Sequence, residues 1–153
     1  MNIEIKRPTV GHVEGMFQLI NKLAAKGQML PRSKYQVVTS LMNFLVALDG
    51  GEVVGCGAFI PLWTDLGEIR STAVAETRQG QGIGRLLVEG LIEEGRRLAI
   101  PEIFVLTYQV GFWAKLGFIV TDKDRFPRKI WRECLECPKL EVCDETAMHL
   151  MLS

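Results

Sequence analysis

Apolar positions in this chain switch repeatedly between a two-residue and a 3.6-residue repeat, and each switch marks a change of element. Residues 3–7 alternate apolar and polar side chains, as a half-buried strand does. Thr9 stands at an N-cap position ahead of Val13, Met16, Phe17, Ile20 and Ala24, which share one helical face, and Gly27 closes the run. Ser33 followed by Gln36 has capping-box spacing and predicts a second helix, with Val37, Val38, Leu41 and Met42 as its buried stripe. Residues 44–48 and 53–60 read as strands joined across Asp49-Gly50-Gly51, a hairpin signal, and residues 67–74 as the third strand of a meander.

Beyond the meander, Ile83, Leu86, Leu87, Leu91 and Leu98 recur at helical spacing. Residues 103–106 fit a short buried strand, and 110–116 a helix that Gly117 ends. Residues 118–120 and 147–152 read as closing strands. The predicted order is strand, two helices, three-strand meander, helix, strand, helix and two strands. That is a mixed α/β sheet in one domain over residues 1–153, with residues 128–146 as a cysteine-containing connection before the last strand.

Length and composition narrow the class. A chain of 153 residues, 48% hydrophobic and 24% charged, can bury a substantial core as an ordinary globular protein. A formal net charge of zero argues against a broad electrostatic footprint for nucleic acid or an anionic membrane. No apolar run reaches membrane-spanning length, and Met1-Asn2-Ile3-Glu4-Ile5 lacks the layout of a signal peptide. A cytosolic location is expected, with the four cysteines reduced or metal-bound.

Chemistry enters with Gln79-Gly80-Gln81-Gly82-Ile83-Gly84, placed between a predicted strand and a predicted helix. Glycines there let backbone N–H groups converge at a helix start, which captures phosphate or pyrophosphate. A dinucleotide fingerprint fails on context, because a meander precedes the run and no acidic residue follows Leu106. A triphosphate loop also fails, since no Gly-Lys-Ser/Thr follows. A ligand-free tight turn is the other reading, against which stands the entropy cost of three glycines in five positions.

Gln79-x-x-Gly82-x-Gly84 resembles the acetyl-CoA pyrophosphate loop of the GNAT N-acetyltransferase superfamily, and Phe112-Trp113-Ala114-Lys115-Leu116-Gly117-Phe118 is similar to a later segment of that family. The resemblance implies a single-domain, mostly antiparallel sheet with helices on both faces, splayed between the strand ending at Val74 and that of residues 103–106. It also implies acetyl-CoA as co-substrate. Backbone groups of Thr72, Ala73 and Val74 would meet the pantetheine arm. Gln79, Gly80, Gln81, Gly82, Ile83, Gly84 and Arg85 would hold the pyrophosphate, with Phe112, Trp113 and Lys115 as further contacts. Such enzymes are often homodimers, so a dimer is one expectation.

Acetyl transfer to an amine needs a base, an oxyanion donor and a proton source for the departing thiolate. By the period-two rule Glu68, Arg70 and Thr72 share one strand face, and Glu68 is the carboxylate placed to act as base, directly or through water. A solvated strand-edge glutamate is the alternative. Arg70 would bind a substrate carboxylate or pair with a neighbouring acid. The position of the family's usual acid, a tyrosine, is Trp113 here, which leaves the Thr107 hydroxyl as the group near the sulfur and Tyr108 as runner-up. Thr107 bonding the backbone at a strand end is the competing reading.

Leu30-Pro31-Arg32-Ser33 places a guanidinium just before a capped helix, a seat for a carboxylate. Together with Gly67-Glu68-Ile69 and Phe104-Val105-Leu106-Thr107, this stretch resembles the acetyltransferase domain of N-acetylglutamate synthase. The resemblance implies Arg32 as substrate clamp, Glu68 as base, Thr107 as acid, and L-glutamate as acceptor in arginine biosynthesis. Longer members carry an amino-acid-kinase-like domain, which this sequence does not show, so feedback by arginine through that domain is not expected. Rival readings are a GNAT enzyme for another small amine or a protein amino group, and a non-catalytic acetyl-CoA-binding regulatory module.

Cys134-x-x-Cys137 and Cys143 carry two readings. One is a zinc site, with His149 inside a predicted strand and no obvious fourth ligand; the other is a compact loop of reduced thiols. Without metal, this segment would cover the acceptor site, with Lys129, Trp131 and Arg132 in reach of the substrate.

Overall fold

The computed structural model describes residues 2–125 and 145–152. The described residues form a seven-stranded sheet, ordered β1 (Ile3–Lys6), β2 (Phe44–Asp49), β3 (Glu52–Trp63), β4 (Leu66–Val74), β5 (Glu102–Thr107), β7 (Thr146–Met151) and β6 (Ile119–Thr121), and the chain divides into two compact units, residues 1–60 with 69–99 and residues 61–68 with 100–153.

The first unit holds β1 (Ile3–Lys6), α1 (Val13–Ala24), α2 (Lys34–Thr39), β2 (Phe44–Asp49), most of β3 (Glu52–Trp63) and β4 (Leu66–Val74), and α3 (Ile83–Arg97). β1 pairs antiparallel with β2, placing Ile5 opposite Ala47, and β2 pairs antiparallel with β3, with a register shift between Ala47 and Leu48. Alternation along these strands feeds two cores. Val46, Cys56, Ala58 and Ala73 pack with Val13, Met16, Leu19, Ile20 and Leu23 of α1 and Val37 of α2. Ala47 and Val54 pack instead with Ile83 and Leu87 of α3.

α3 approaches the sheet closely because β3 presents a glycine to it. A Cβ on Gly55 would stand 2.9 Å from Leu87 Cδ1 and 3.2 Å from the Ala73 carbonyl oxygen. Gly55→Val is therefore expected to cost about 1–3 kcal/mol of stability through overpacking. Thermal unfolding checks this, and an unchanged Tm would mean that α3 can move off the sheet without loss.

The periodicity misplaces several side chains. Val38 and Met42 are exposed at 47% and 82%: Val38 lies about 100° around α2 from the buried Val37, and a 3-10 turn at Leu41–Asn43 breaks the 3.6 repeat that would have carried Met42 onto the stripe. Leu86 and Leu98 are also exposed, and the apolar face of α3 is Ile83, Leu87, Val88, Leu91 and Ile92. Thr9 precedes a 3-10 turn at Val10–His12 rather than α1 itself. The capping box of α2 forms as its spacing predicts: Gln36 N–H donates to Ser33 Oγ at 3.0 Å and Ser33 N–H to Gln36 Oε1 at 2.8 Å.

The second unit takes the end of β3 and the start of β4, with β5 (Glu102–Thr107), α4 (Val110–Ala114), β6 (Ile119–Thr121) and β7 (Thr146–Met151). A parallel ladder joins Gly67 to Ile103 and Glu68 to Phe104. β5 and β6 each pair antiparallel with β7. Phe118, expected in a strand, lies just before β6 and is buried, while Ile119 and Val120 are exposed. No helix among the described residues is long and apolar enough to cross a membrane.

Candidate active site

The glycine run folds into a strand-to-helix turn aimed along a 15-residue helix. Gly82 caps α3 in the left-handed region at φ 86°, and Gly80 has φ 78°, conformations that disfavour side chains. The cap offers no side-chain hydrogen bond, and the first intrahelical bond runs from Leu86 N–H to the Gly82 carbonyl at 3.1 Å. The N–H groups of Ile83, Gly84 and Arg85 thus have no intrahelical acceptor. A Cβ built on Gly80 or Gly82 would meet no atom within 4 Å. Convergent donors, the positive end of a long helix and open space fit a pyrophosphate.

Side chains hold this turn in shape. Gln79 Nε2 donates to the Val74 carbonyl at 3.0 Å, tying the loop to the end of β4. Arg78 forms an ion pair with Asp49 of the β2–β3 hairpin, and its Nε donates to Gln81 Oε1 at 3.4 Å. Arg85 lies on the exposed surface of α3 and pairs with Glu89. On β4, Thr72 carries a buried hydroxyl oxygen with no hydrogen-bond partner, close to where a Cβ on Gly57 would point.

Arg32, one of the expected acceptor residues, is held at both its side chain and its backbone. Its Nε donates to Ser71 Oγ at 3.3 Å. Its backbone N–H donates to Asn21 Oδ1 at 3.2 Å, and its carbonyl accepts from Asn21 Nδ2 at 2.7 Å. The following helix has six residues, so the guanidinium rather than a helix dipole supplies the positive charge. Ser71 itself is left-handed at φ 57°, a conformation uncommon for any residue but glycine, asparagine or aspartate. This residue interrupts regular alternation between Arg70 and Thr72, so the single face expected for Glu68, Arg70 and Thr72 is not a simple period-two face. Arg70 is half-buried.

Cys56 lies beneath this region, and its thiol donates to the Ser71 carbonyl with Sγ···O 3.7 Å. Burial pushes that thiol up to about 12, so it stays protonated and is a poor nucleophile.

In the second unit, Glu68 is half-buried and sits opposite Phe104, three residues before Thr107 on the neighbouring strand. Thr107 is buried, and its Oγ1 accepts the Gln109 N–H at 2.8 Å, the strand-end bond named as its competing role. A hydroxyl that accepts in this way still carries a proton to donate. Tyr108 is 40% exposed. Trp113 is buried edge-on between Phe112 and Phe118, with ring centroids 5.3 and 5.0 Å away, so its indole packs the core around α4. Lys115 is exposed.

His149 Nδ1 lies 2.8 Å from Glu102 Oε2, which also accepts from Arg125 Nη2 at 2.9 Å. That contact turns the Nδ1 edge of the ring toward a carboxylate and a guanidinium. Cys134, Cys137, Cys143, Lys129, Trp131 and Arg132 lie outside the described residues. Among the described residues no three His, Cys, Asp or Glu side chains are grouped to hold a metal.

Sequence reasoning missed Asn21, Ser71 and the Asp49–Arg78 pair. A polar Asn21 next to the core-facing Ile20 of α1 was the one available signal.

The sequence profile described as acetyltransferase (GNAT) family matches residues 19–118. An uncharacterized N-acetyltransferase of Chlorobaculum tepidum is 39% identical over 94% of this chain and 93% of its own length. An amino-acid acetyltransferase of Mycobacterium tuberculosis is 37% identical over 74% of this chain and 67% of its own length. Among solved structures, a Mycobacterium tuberculosis protein in complex with CoA and a second ligand superposes with TM-score 0.85 at 29% identity, covering 98% of this chain and 99% of that one. The N-acetylglutamate synthase of Neisseria gonorrhoeae, solved with coenzyme A and N-acetyl-glutamate, shares the fold with TM-score 0.90 at 22% identity; all of this chain aligns with 36% of that longer protein.

Proposed function

Because the chain belongs to the acetyltransferase (GNAT) family, we propose that it is an acetyl-CoA-dependent amino-acid N-acetyltransferase whose acceptor is L-glutamate. The observation that carries a carboxylate-bearing acceptor is the Arg32 guanidinium, held at its Nε by Ser71 and at its backbone by Asn21, and the resemblance of the segments around Arg32, Glu68 and Thr107 selects L-glutamate within that class. A fixed guanidinium favours an acceptor bearing a carboxylate over a plain amine, since charge-assisted bonds to a planar fork are stronger than neutral ones. The family membership supports acetyl-CoA, and the name of the Mycobacterium tuberculosis relative supports an amino acid.

The chemistry divides among the chain's own groups. The open left-handed turn at Gly80 and Gly82 takes the pyrophosphate, and backbone groups of Thr72, Ala73 and Val74 take the pantetheine amides. Glu68 removes a proton from the acceptor ammonium, directly or through water. The freed amine nitrogen attacks the thioester carbonyl carbon; a C–N bond forms, the C–S bond breaks, and the proton that the nitrogen loses as the amide forms passes to the departing thiolate, giving free CoA thiol. Thr107 donates a hydrogen bond to the departing thiolate. Transfer is direct, in a ternary complex, and the protonated, buried Cys56 thiol takes no acetyl group. Arginine biosynthesis is the process such a product would feed, and the cytoplasm its place.

Gly82→Ala is expected to raise the acetyl-CoA KM roughly tenfold, because holding an alanine in the left-handed region costs about 1–2 kcal/mol. Steady-state kinetics at saturating acceptor reads this directly, and an unchanged KM would separate the turn from cofactor binding. The reading as a whole is tested by incubating purified protein with acetyl-CoA and L-glutamate. N-acetylglutamate should accumulate in step with free CoA thiol. Acetyl-CoA binding without any acetylated amino acid would instead favour a regulatory module.

A further inference from the structure

We propose that Asn21 is a positioning residue for acceptor binding, acting through Arg32; this rests on the reading of Arg32 as the partner of the acceptor carboxylate. One carboxamide makes three hydrogen bonds. Nδ2 donates to the Phe17 carbonyl at 2.9 Å, within α1, and to the Arg32 carbonyl at 2.7 Å, while Oδ1 accepts the Arg32 N–H at 3.2 Å. Both amide protons are thereby used. The two bonds to Arg32 grip the N–H and C=O of a single residue, as a ladder partner in a sheet would, and so fix its backbone orientation relative to α1.

Arg32 needs that support. It lies in a stretch without helix or strand between α1 and α2, where no repeating backbone pattern sets its position. α1 is rigidly seated, with Met16 and Ile20 fully buried and Leu23 at 4% exposure. Asn21 thus carries the rigidity of the core to a residue outside it. A long arginine side chain magnifies small backbone rotations at its tip, and binding groups must be held within about 0.5 Å and 10–20° to act well. Ser71 Oγ steadies the side chain at Nε, 3.3 Å away. The two supports act at opposite ends of the residue.

The test is a double-mutant cycle in the full chain, using Asn21→Ala, Arg32→Ala and the combination. Asn21→Ala is expected to raise the acceptor KM about tenfold while leaving the acetyl-CoA KM within about twofold, the scale set by displacing a binding group by a fraction of an ångström. In the Arg32→Ala background the same change should add less than about twofold, because the residue it positions is gone. A tenfold effect that persists in that background, or a matching rise in the acetyl-CoA KM, would assign Asn21 a purely structural role and overturn the proposal. Where Asn21→Ala does not fold, Asn21→Ser enters the same cycle with the same expectations. Wild-type turnover with an unchanged acceptor KM in the variant overturns this inference alone. Wild-type protein that acetylates no amino acid overturns it together with the reading beneath it.

Discussion

Glu68→Gln lowers kcat by about 100- to 1,000-fold, with both Michaelis constants within about twofold; that is the largest single effect expected, at the scale of losing a general base. Glutamine keeps the shape and hydrogen-bonding reach of glutamate but cannot accept the ammonium proton. The backbone at this position is set by the parallel ladder that pairs Glu68 with Phe104, so the substitution leaves the strand in place. Rapid-mix measurement of acetyl transfer, separate from product release, reads the chemical step. A raised acceptor KM with unchanged kcat would instead make Glu68 a binding group and move the base elsewhere.

Arg32→Ala should act on binding rather than chemistry. Losing a charge-assisted, two-pronged contact costs about 2–3 kcal/mol, equivalent to roughly 30- to 150-fold in the acceptor KM. The acetyl-CoA KM should hold, since the turn at Gly80 and Gly82 offers its own backbone donors at the start of α3. Arg32→Lys should recover only part of the loss. A lysine keeps the charge but not the Nε–H that Ser71 accepts or the planar fork. Initial-rate kinetics with each substrate varied in turn distinguishes these outcomes, and equal rises in both Michaelis constants would point to a general disturbance of the fold.

Much of the architecture was legible because it rests on local chemistry. Asp49-Gly50-Gly51 marks a hairpin whose glycines both have positive φ, and Ser33 with Gln36 closes the capping box at the spacing that motif requires. Gly82 had to be glycine for the left-handed cap of α3. Side-chain facing was less legible where an element is short or irregular. Six residues of α2 cannot carry a stripe as far as Met42, and Leu86 falls beside the buried face of α3 instead of on it.

The site shows the same division. The glycine turn is a run of neighbouring residues, so its pattern survives in one dimension. Arg32 was visible as a charge ahead of a helix, but its supports lie 11 and 39 positions away along the chain. No local signal announces that Ser71 is left-handed, because that conformation is imposed by the surrounding sheet and not by serine. Thr107 had two readings in the sequence, backbone bonding and donation to sulfur. The 2.8 Å contact from Gln109 establishes the first and leaves its proton for the second.

On the proposed function, acetyl passes from acetyl-CoA to L-glutamate. The most direct measurement is kcat/KM for each of the twenty amino acids in parallel, following release of free CoA thiol and confirming each product by mass. L-Glutamate should give the highest value, with amino acids lacking an acidic side chain far below it and the preference collapsing in Arg32→Ala. Equal rates across unrelated amines, or no turnover of glutamate at all, would contradict the claim.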